Sequence, residues 1–264
     1  MRETIELPEM MDDTVKVQCN QFSEKGWTVS TVNAPLEKEF TVYVNELEFA
    51  TICCTPTKLN YLIFGLLYSE GLITCAADVT MMRLRNNESD VDVKLNKKEL
   101  DMPSKRPSYD HVNNILASVM EQSIEADVSI APEQVLTLMR RFHEKVDLKR
   151  FGGGVHAAAL ADKNDLIFVA EDIGRHNTLD KILGECILAD LSTRDKLLLC
   201  TGRISTEMIR KIYKMQIPVV ICQHFLTGNS AILAHKLGIT LVGRVREHSL
   251  SVYSRPERIG CSIN

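Results

Sequence analysis

The chain has 264 residues, 45% of them apolar, and a formal net charge of −4. That is enough apolar material for one large core or two modest ones, and it excludes a general nucleic-acid or polyanion binder held by bulk positive charge. The negative charge sits at the front, where residues 1–50 carry ten acids against four Lys or Arg, so a basic pocket further along is compatible with the total.

The opening stretch MRETIELPEMMDD is acidic and has no apolar h-region, which argues against a secretory signal. The longest apolar run, YLIFGLLY at 61–68, is too short to cross a bilayer. The expected compartment is the cytoplasm, with no membrane association. There the eight cysteines (Cys19, Cys53, Cys54, Cys75, Cys186, Cys200, Cys222 and Cys261) should stay reduced. No pair has C-x-x-C spacing, so a zinc knuckle and a thioredoxin-type motif are both excluded.

In chain order, residues 1–35 show no clear period and are expected to form an irregular lead-in. FTVYVNELEFATICC (40–54) alternates around Asn45-Glu46 and predicts two strands and a turn. In TPTKLNYLIFGLLYSEG (55–71) the period changes: Leu59, Leu62, Ile63, Leu66 and Leu67 share a helix face, with Thr55 as N-cap, Pro56 in the first turn and Gly71 as the stop. VTMMRLR and VDVKL read as two more strands. The polar, proline-containing stretch 96–108 predicts a boundary between an N-terminal α+β domain (1–108) and a second domain (109–264).

Residues 111–125 and 132–145 read as helices, the second opened by Pro132. VHAAAL reads as the start of a helix. LIFVA, KLLLC, PVVIC, ITLVGRV and LSVYS read as strands, alternating in part with the helices HNTLDKILGECILA, STEMIRKIYKM and SAILAHKLG. This alternation predicts an α/β layer with parallel strand pairs.

The strand ends concentrate the chemistry. LIFVA runs into EDIGRHN, KLLLC into TGRIST and PVVIC into QHFLTGNS, each a polar, glycine-containing turn before a helix. Ligands of open α/β sheets bind outside the carboxyl ends of strands, and helix N-termini there favour phosphate. Arginine suits bidentate recognition of the same anions. The candidate site gathers Gly153, Gly154, His156, Asp172, Arg175, His176, Gly202, Arg203 and Ser205, with Arg244 and Arg246 further along. The glycine run is neither a G-x-G-x-x-G fingerprint nor a Walker A loop. A zinc nucleoside deaminase needs H-x-E, whereas this chain has His156-Ala157-Ala158, so no protein-bound zinc is expected.

GGGVHAAALAD…EDIGRHNTLDKILG resembles the FdhD family of formate dehydrogenase accessory sulfurtransferases. CTPTKLNYLIFGLLYSEGLI, TGRISTEMIRKI, QIPVV, LAHKLGITLVGRVR and SVYSRPERI carry the resemblance in order over residues 40–260. It implies a cytoplasmic protein, commonly a homodimer. The second domain would be a three-layer α/β/α unit of the cytidine-deaminase type without its zinc. The implied ligand is the molybdenum (or tungsten) bis(molybdopterin guanine dinucleotide) cofactor, with GDP as a partial mimic. Arg244, Val245, Arg246, Glu247, His248 and Ser249 join its implied binding site. Sulfur would pass from a cysteine desulfurase to the cofactor before the cofactor enters formate dehydrogenase.

The family's persulfide-bearing C-G-x-C-G type segment corresponds here to NNILASVMEQSIEA (113–126). That alignment places Leu116 and Val119 at the cysteine positions, and neither can carry sulfur. Two readings follow: a sulfur carrier using another thiol, with Cys53 or Cys54 as catalytic candidates, or a non-catalytic chaperone for the cofactor.

Overall fold

The computed structural model describes Leu7 and residues 13–85, 89–96, 123–146 and 154–260. It opens with a hairpin where an irregular lead-in was expected: β1 (Thr14–Ser23) pairs antiparallel with β2 (Gly26–Pro35), from Thr14↔Pro35 to Ser23↔Gly26. None of these residues belongs to a buried cluster, and Val15, Val17, Phe22, Trp27 and Val29 are exposed. A ribbon with solvent on both faces needs no apolar alternation, so periodicity could not reveal it.

A four-stranded sheet follows, made of β3 (Lys38–Val44), β4 (Leu47–Cys54), β5 (Val79–Leu84) and β6 (Asp90–Leu95) in the order β4-β3-β6-β5. Asn45 and Glu46 both have positive φ, 47° and 72°, which makes the tight two-residue turn expected between β3 and β4. Helix α1 (Leu59–Ser69) packs Leu59, Leu62, Ile63 and Leu67 into one core with Phe40, Val42, Val44, Val91 and Val93. It begins later than the sequence suggests, with Lys58 at the N-cap. Thr55 does not cap it: its hydroxyl accepts from the Ile173 N–H at 3.2 Å, and its carbonyl accepts from Lys181 Nζ at 3.0 Å. Gly71 ends the turn at φ +81°, as expected.

Most of the predicted boundary stretch, 97–108, and most of the first predicted helix, 111–122, lie outside the described residues. Residues 123–131 carry no helix before α2 (Pro132–Lys145). The six-stranded sheet then has the order β12-β11-β10-β9-β7-β8, formed by β7 (His156–Ala161), β8 (Leu166–Asp172), β9 (Leu197–Cys200), β10 (Val219–Cys222), β11 (Thr240–Arg246) and β12 (Ser249–Ser254). β9, β10 and β11 are parallel; β7 runs antiparallel to both its neighbours, and β12 runs antiparallel to β11.

Alternate residues of this sheet enter different cores. Ala158, Leu160, Leu198, Cys200, Val220 and Cys222 face α3 (Arg175–Leu188), α4 (Thr206–Lys214) and α5 (Gly228–Lys236). Ala157, Ala159, Leu197, Leu199, Val219 and Ile221 face α2. The result is a three-layer α/β/α arrangement, generated by a period of two through buried strands. VHAAAL is therefore a strand, not a helix start. Its alanines lie between strands on both sides and helices on both faces, where small side chains fit and tertiary context overrides alanine's helix propensity.

The two larger sheets meet through α1 and α3. A Cβ on Gly65 would lie 1.9 Å from the Asp180 carbonyl oxygen, and one on Gly184 would lie 1.9 Å from that of Tyr61. Two glycines thus let the helix backbones touch at reciprocal positions.

Candidate functional site

The strand directions assemble one edge of the six-stranded sheet. β7 begins there with His156, paired with Asp172 at the end of β8. β9 ends at Cys200 and β10 at Cys222, which are in register, and both lead into loops at the same edge. β11 runs parallel to them and ends at Arg246. His156, Gly202, His224 and Arg244 are therefore neighbours although they lie far apart in sequence.

Gly202 is the floor of the arrangement. A Cβ there would lie 3.1 Å from Arg175 Cβ and 3.4 Å from His156 Nδ1. His156 is half-buried. Burial is the first cause that holds its imidazole below the usual histidine range, and the charges of Arg175 and His224 add to it. Arg175 opens α3 directly after Gly174, and its Nε is buried with no hydrogen-bond partner among the described residues. A buried guanidinium N–H normally finds an acceptor, and a phosphate or carboxylate oxygen would supply one. The N-termini of α4 and α5 are capped by Ser205 and Thr227, whereas Gly174 gives α3 no side-chain cap. Beneath the floor the thiols of Cys222 and Cys200 donate to the Gly202 carbonyl at 3.0 and 3.8 Å.

Other predicted residues have different positions. Asp172 is fully buried in β8, with its carboxylate occupied by Lys181, the Gly174 N–H and Asn177 Nδ2. It holds the wall of the site instead of facing a ligand. His176 Nε2 lies 3.5 Å from Glu207 Oε2, between α3 and α4; burial first, then the charge of Lys211, pushes its pKa down. Ser205 accepts from the Met208 N–H at 3.4 Å as the cap of α4. Arg203 is exposed. Val245 is buried in the core shared with α2. Glu247 and His248 are almost fully exposed beside Ser249 at the β11–β12 turn. Gly154 is exposed just before β7, while Gly153 lies outside the described residues.

The sequence reading passed over His224 and Phe225. QHFLTGNS reads as a strand-end turn, but only the strand order shows that it faces the start of β7. Asn177 was missed too; its side-chain amide donates to Asp172 Oδ1 at 2.8 Å and to the Cys53 carbonyl at 2.9 Å.

The candidate sulfur carriers are poor thiolates. Cys53 is exposed, yet partial burial and a 2.9 Å hydrogen bond to Glu37 push it up to about 11, helped by the charges of Glu37 and Glu39. Burial pushes Cys54 and Cys186 each to about 12. The neighbouring Cys222 thiol and burial raise Cys200 well above the thiol range, while Cys222 itself is lowered, first by Cys200 and then by backbone hydrogen bonds. Leu116 and Val119 lie outside the described residues. Among the described residues no cluster of three or more His, Cys, Asp or Glu is arranged to hold a metal, and no helix is long and apolar enough to cross a membrane.

The model of the FdhD/NarQ family matches residues 35–260 of this chain. The chain belongs to the FdhD/NarQ family. It is 32% identical over 265 residues to the sulfur carrier protein FdhD of Bacillus subtilis, covering 94% of this chain and 99% of that protein. It is 34% identical over 237 residues to the sulfur carrier protein FdhD of Staphylococcus aureus, covering 84% of this chain and 88% of that one. The fold is also that of a crystal structure assigned to a formate dehydrogenase accessory protein of Desulfotalea psychrophila, with a TM-score of 0.79 at 21% identity over 94% of this chain and 100% of that one. The FdhD match begins after most of the β1–β2 hairpin and includes every strand that builds the candidate site.

Proposed function

We propose that this chain is a formate dehydrogenase accessory protein of the sulfur-carrier type, as its relatives are named, and that it binds a phosphorylated guanine–pterin ligand. The cargo is the molybdenum bis(molybdopterin guanine dinucleotide) cofactor, of which GDP is a partial mimic. The observation that carries the reading is the convergence of His156 and Arg175 at Gly202, with the charge of His224 reaching His156 and Arg175 Nε buried with no partner among the described residues. The residues fit an anion: a guanidinium and an imidazole flank Gly202, where a Cβ would lie 3.1 Å from Arg175 Cβ and 3.4 Å from His156 Nδ1. A cysteine desulfurase as sulfur donor, formate dehydrogenase as client and a second copy of the chain are the partners that go with this reading.

A second reading has its own support. The raised thiols of the two candidate carriers, Cys53 and Cys54, disfavour the thiolate that sulfur transfer needs. With Leu and Val at positions 116 and 119, the chain would hold the cofactor without forming its own persulfide.

Anaerobic purification from cells that make the cofactor, followed by mass spectrometry of the released ligand, tests the binding. A guanine-dinucleotide pterin near one equivalent per site is expected, and its absence overturns the proposal. Incubation with a cysteine desulfurase and cysteine, followed by peptide mass mapping, separates the two readings. A stoichiometric sulfur adduct on any cysteine supports the carrier, and its absence supports the cofactor holder.

A further inference from the structure

We infer that Phe225 and Arg244 form a stacking platform for the planar ring of the ligand, beside the anion cluster; the inference rests on the phosphate-site reading above. Phe225 is 55% exposed in the loop after β10, and the Arg244 guanidinium carbon sits 5.1 Å from its ring centroid. His224, the preceding residue, is one of the groups whose charge reaches His156. Phe225 thus follows directly on a residue of the cluster.

Several independent features hold the pair in place. β11 shifts register against β12 between Gly243 and Arg246, an irregularity of the kind that re-aims side chains at the edge of a sheet. Within it Arg244 adopts φ 53°, a left-handed conformation that is costly for a residue with a side chain and is found where surrounding structure imposes it. The Arg244 N–H donates to the His224 carbonyl at 3.1 Å. Arg246 Nη1 donates to the Gln223 carbonyl at 3.2 Å. The loop is therefore tied to the sheet at the two residues that precede the exposed ring. A ring with a cation beside it and much of its surface open suits a flat heterocycle, because stacking tolerates any base and a guanidinium extends the platform. Arg244 then acts through its plane as well as through its charge.

The test titrates GDP and inorganic pyrophosphate into the full-length protein and its variants. In Phe225→Ala, GDP should weaken about five- to hundred-fold, the range of base–aromatic stacking, while pyrophosphate, which has no ring, should bind as in the unmodified protein. Phe225→Trp should restore GDP binding. Two results overturn the platform and leave the phosphate site standing: unchanged GDP affinity in Phe225→Ala while Arg175→Ala still loses it, or equal loss of GDP and pyrophosphate in Phe225→Ala. If the unmodified protein binds neither probe, the phosphate-site reading falls and the platform falls with it.

Discussion

Lys181 Nζ and Asp172 Oδ2 lie 2.6 Å apart with both side chains fully buried, and the pair joins three parts of the chain. Lys181 also donates to the carbonyls of Thr55 and Glu171, each at 3.0 Å, so α3, β8 and the segment after β4 converge on one ammonium group. Asp172 Oδ1 accepts from Gly174 and Asn177, which fixes the turn that presents Arg175. The wall of the candidate site is thus built from a buried ion pair.

Removing one partner leaves the other charge buried and uncompensated. Lys181→Met should destabilise the protein by about 3–5 kcal/mol in urea titration. The double variant Lys181→Met/Asp172→Leu should recover part of that loss, because apolar replacement of a whole buried pair is often neutral. If Lys181→Met has the stability of the unmodified protein, the pair is not the latch described.

The contact between α1 and α3 allows a prediction in which two effects oppose each other. Gly184→Ala gains about 1 kcal/mol of helix propensity but drives a methyl group to within 1.9 Å of the Tyr61 carbonyl oxygen. Overpacking against backbone costs about 1–3 kcal/mol or more, so net destabilisation is expected. A raised Tm in Gly184→Ala would contradict the close crossing.

How far the sequence could be read depended on what each signal requires. β9, β10 and β11 were legible as short apolar runs between turns, and α2 by its opening Pro132 and its period. Residues 14–35 were not, because apolar alternation marks a strand with one buried face and this hairpin has none. β7 was misread because alanine has no strand signature of its own. In the site, the runs around His156 and Arg175 were dense enough in polar groups to be noticed. His224 and Phe225 were not, because their importance comes from β10 lying beside β9, a relation that no local pattern encodes. Asp172 reads from sequence as a candidate cofactor-binding residue, but its burial and its ion pair with Lys181 depend on the fold.

Both half-buried histidines are held below the usual value of 6.5, chiefly by burial. Above that value folded and unfolded chains are both neutral at these positions, and the stabilising contribution is complete. As the pH falls below it, the unfolded chain takes up protons first, so stability should decline toward the folded-state pKa values. Denaturation midpoints measured from pH 8 down to pH 5 should fall less steeply in His156→Gln. An anion at Gly202 opposes the downward shift. GDP binding near pH 6 should therefore take up protons, seen as a buffer-dependent heat that is absent at pH 8.

Cys53 offers a direct chemical test. Its thiol is exposed but pushed up to about 11, so alkylation by iodoacetamide at pH 7 should be slower than that of a free cysteine. Glu37→Gln removes a carboxylate that both accepts its hydrogen bond and repels its thiolate, and should speed the reaction. Equal rates in the two proteins, followed by peptide mass, would remove the argument against Cys53 as a sulfur carrier.

The central claim is that the carboxyl edge of the six-stranded sheet is an anion site built on Arg175, His156 and Gly202. Calorimetric titration of GDP into the unmodified protein and Arg175→Ala tests it most directly. Losing a charge-assisted contact should weaken binding by about 1.5–3 kcal/mol, while Arg141→Ala, whose guanidinium bonds the Asn164 carbonyl beyond α2, should leave it unchanged. GDP affinity that is the same in Arg175→Ala as in the unmodified protein would contradict the account.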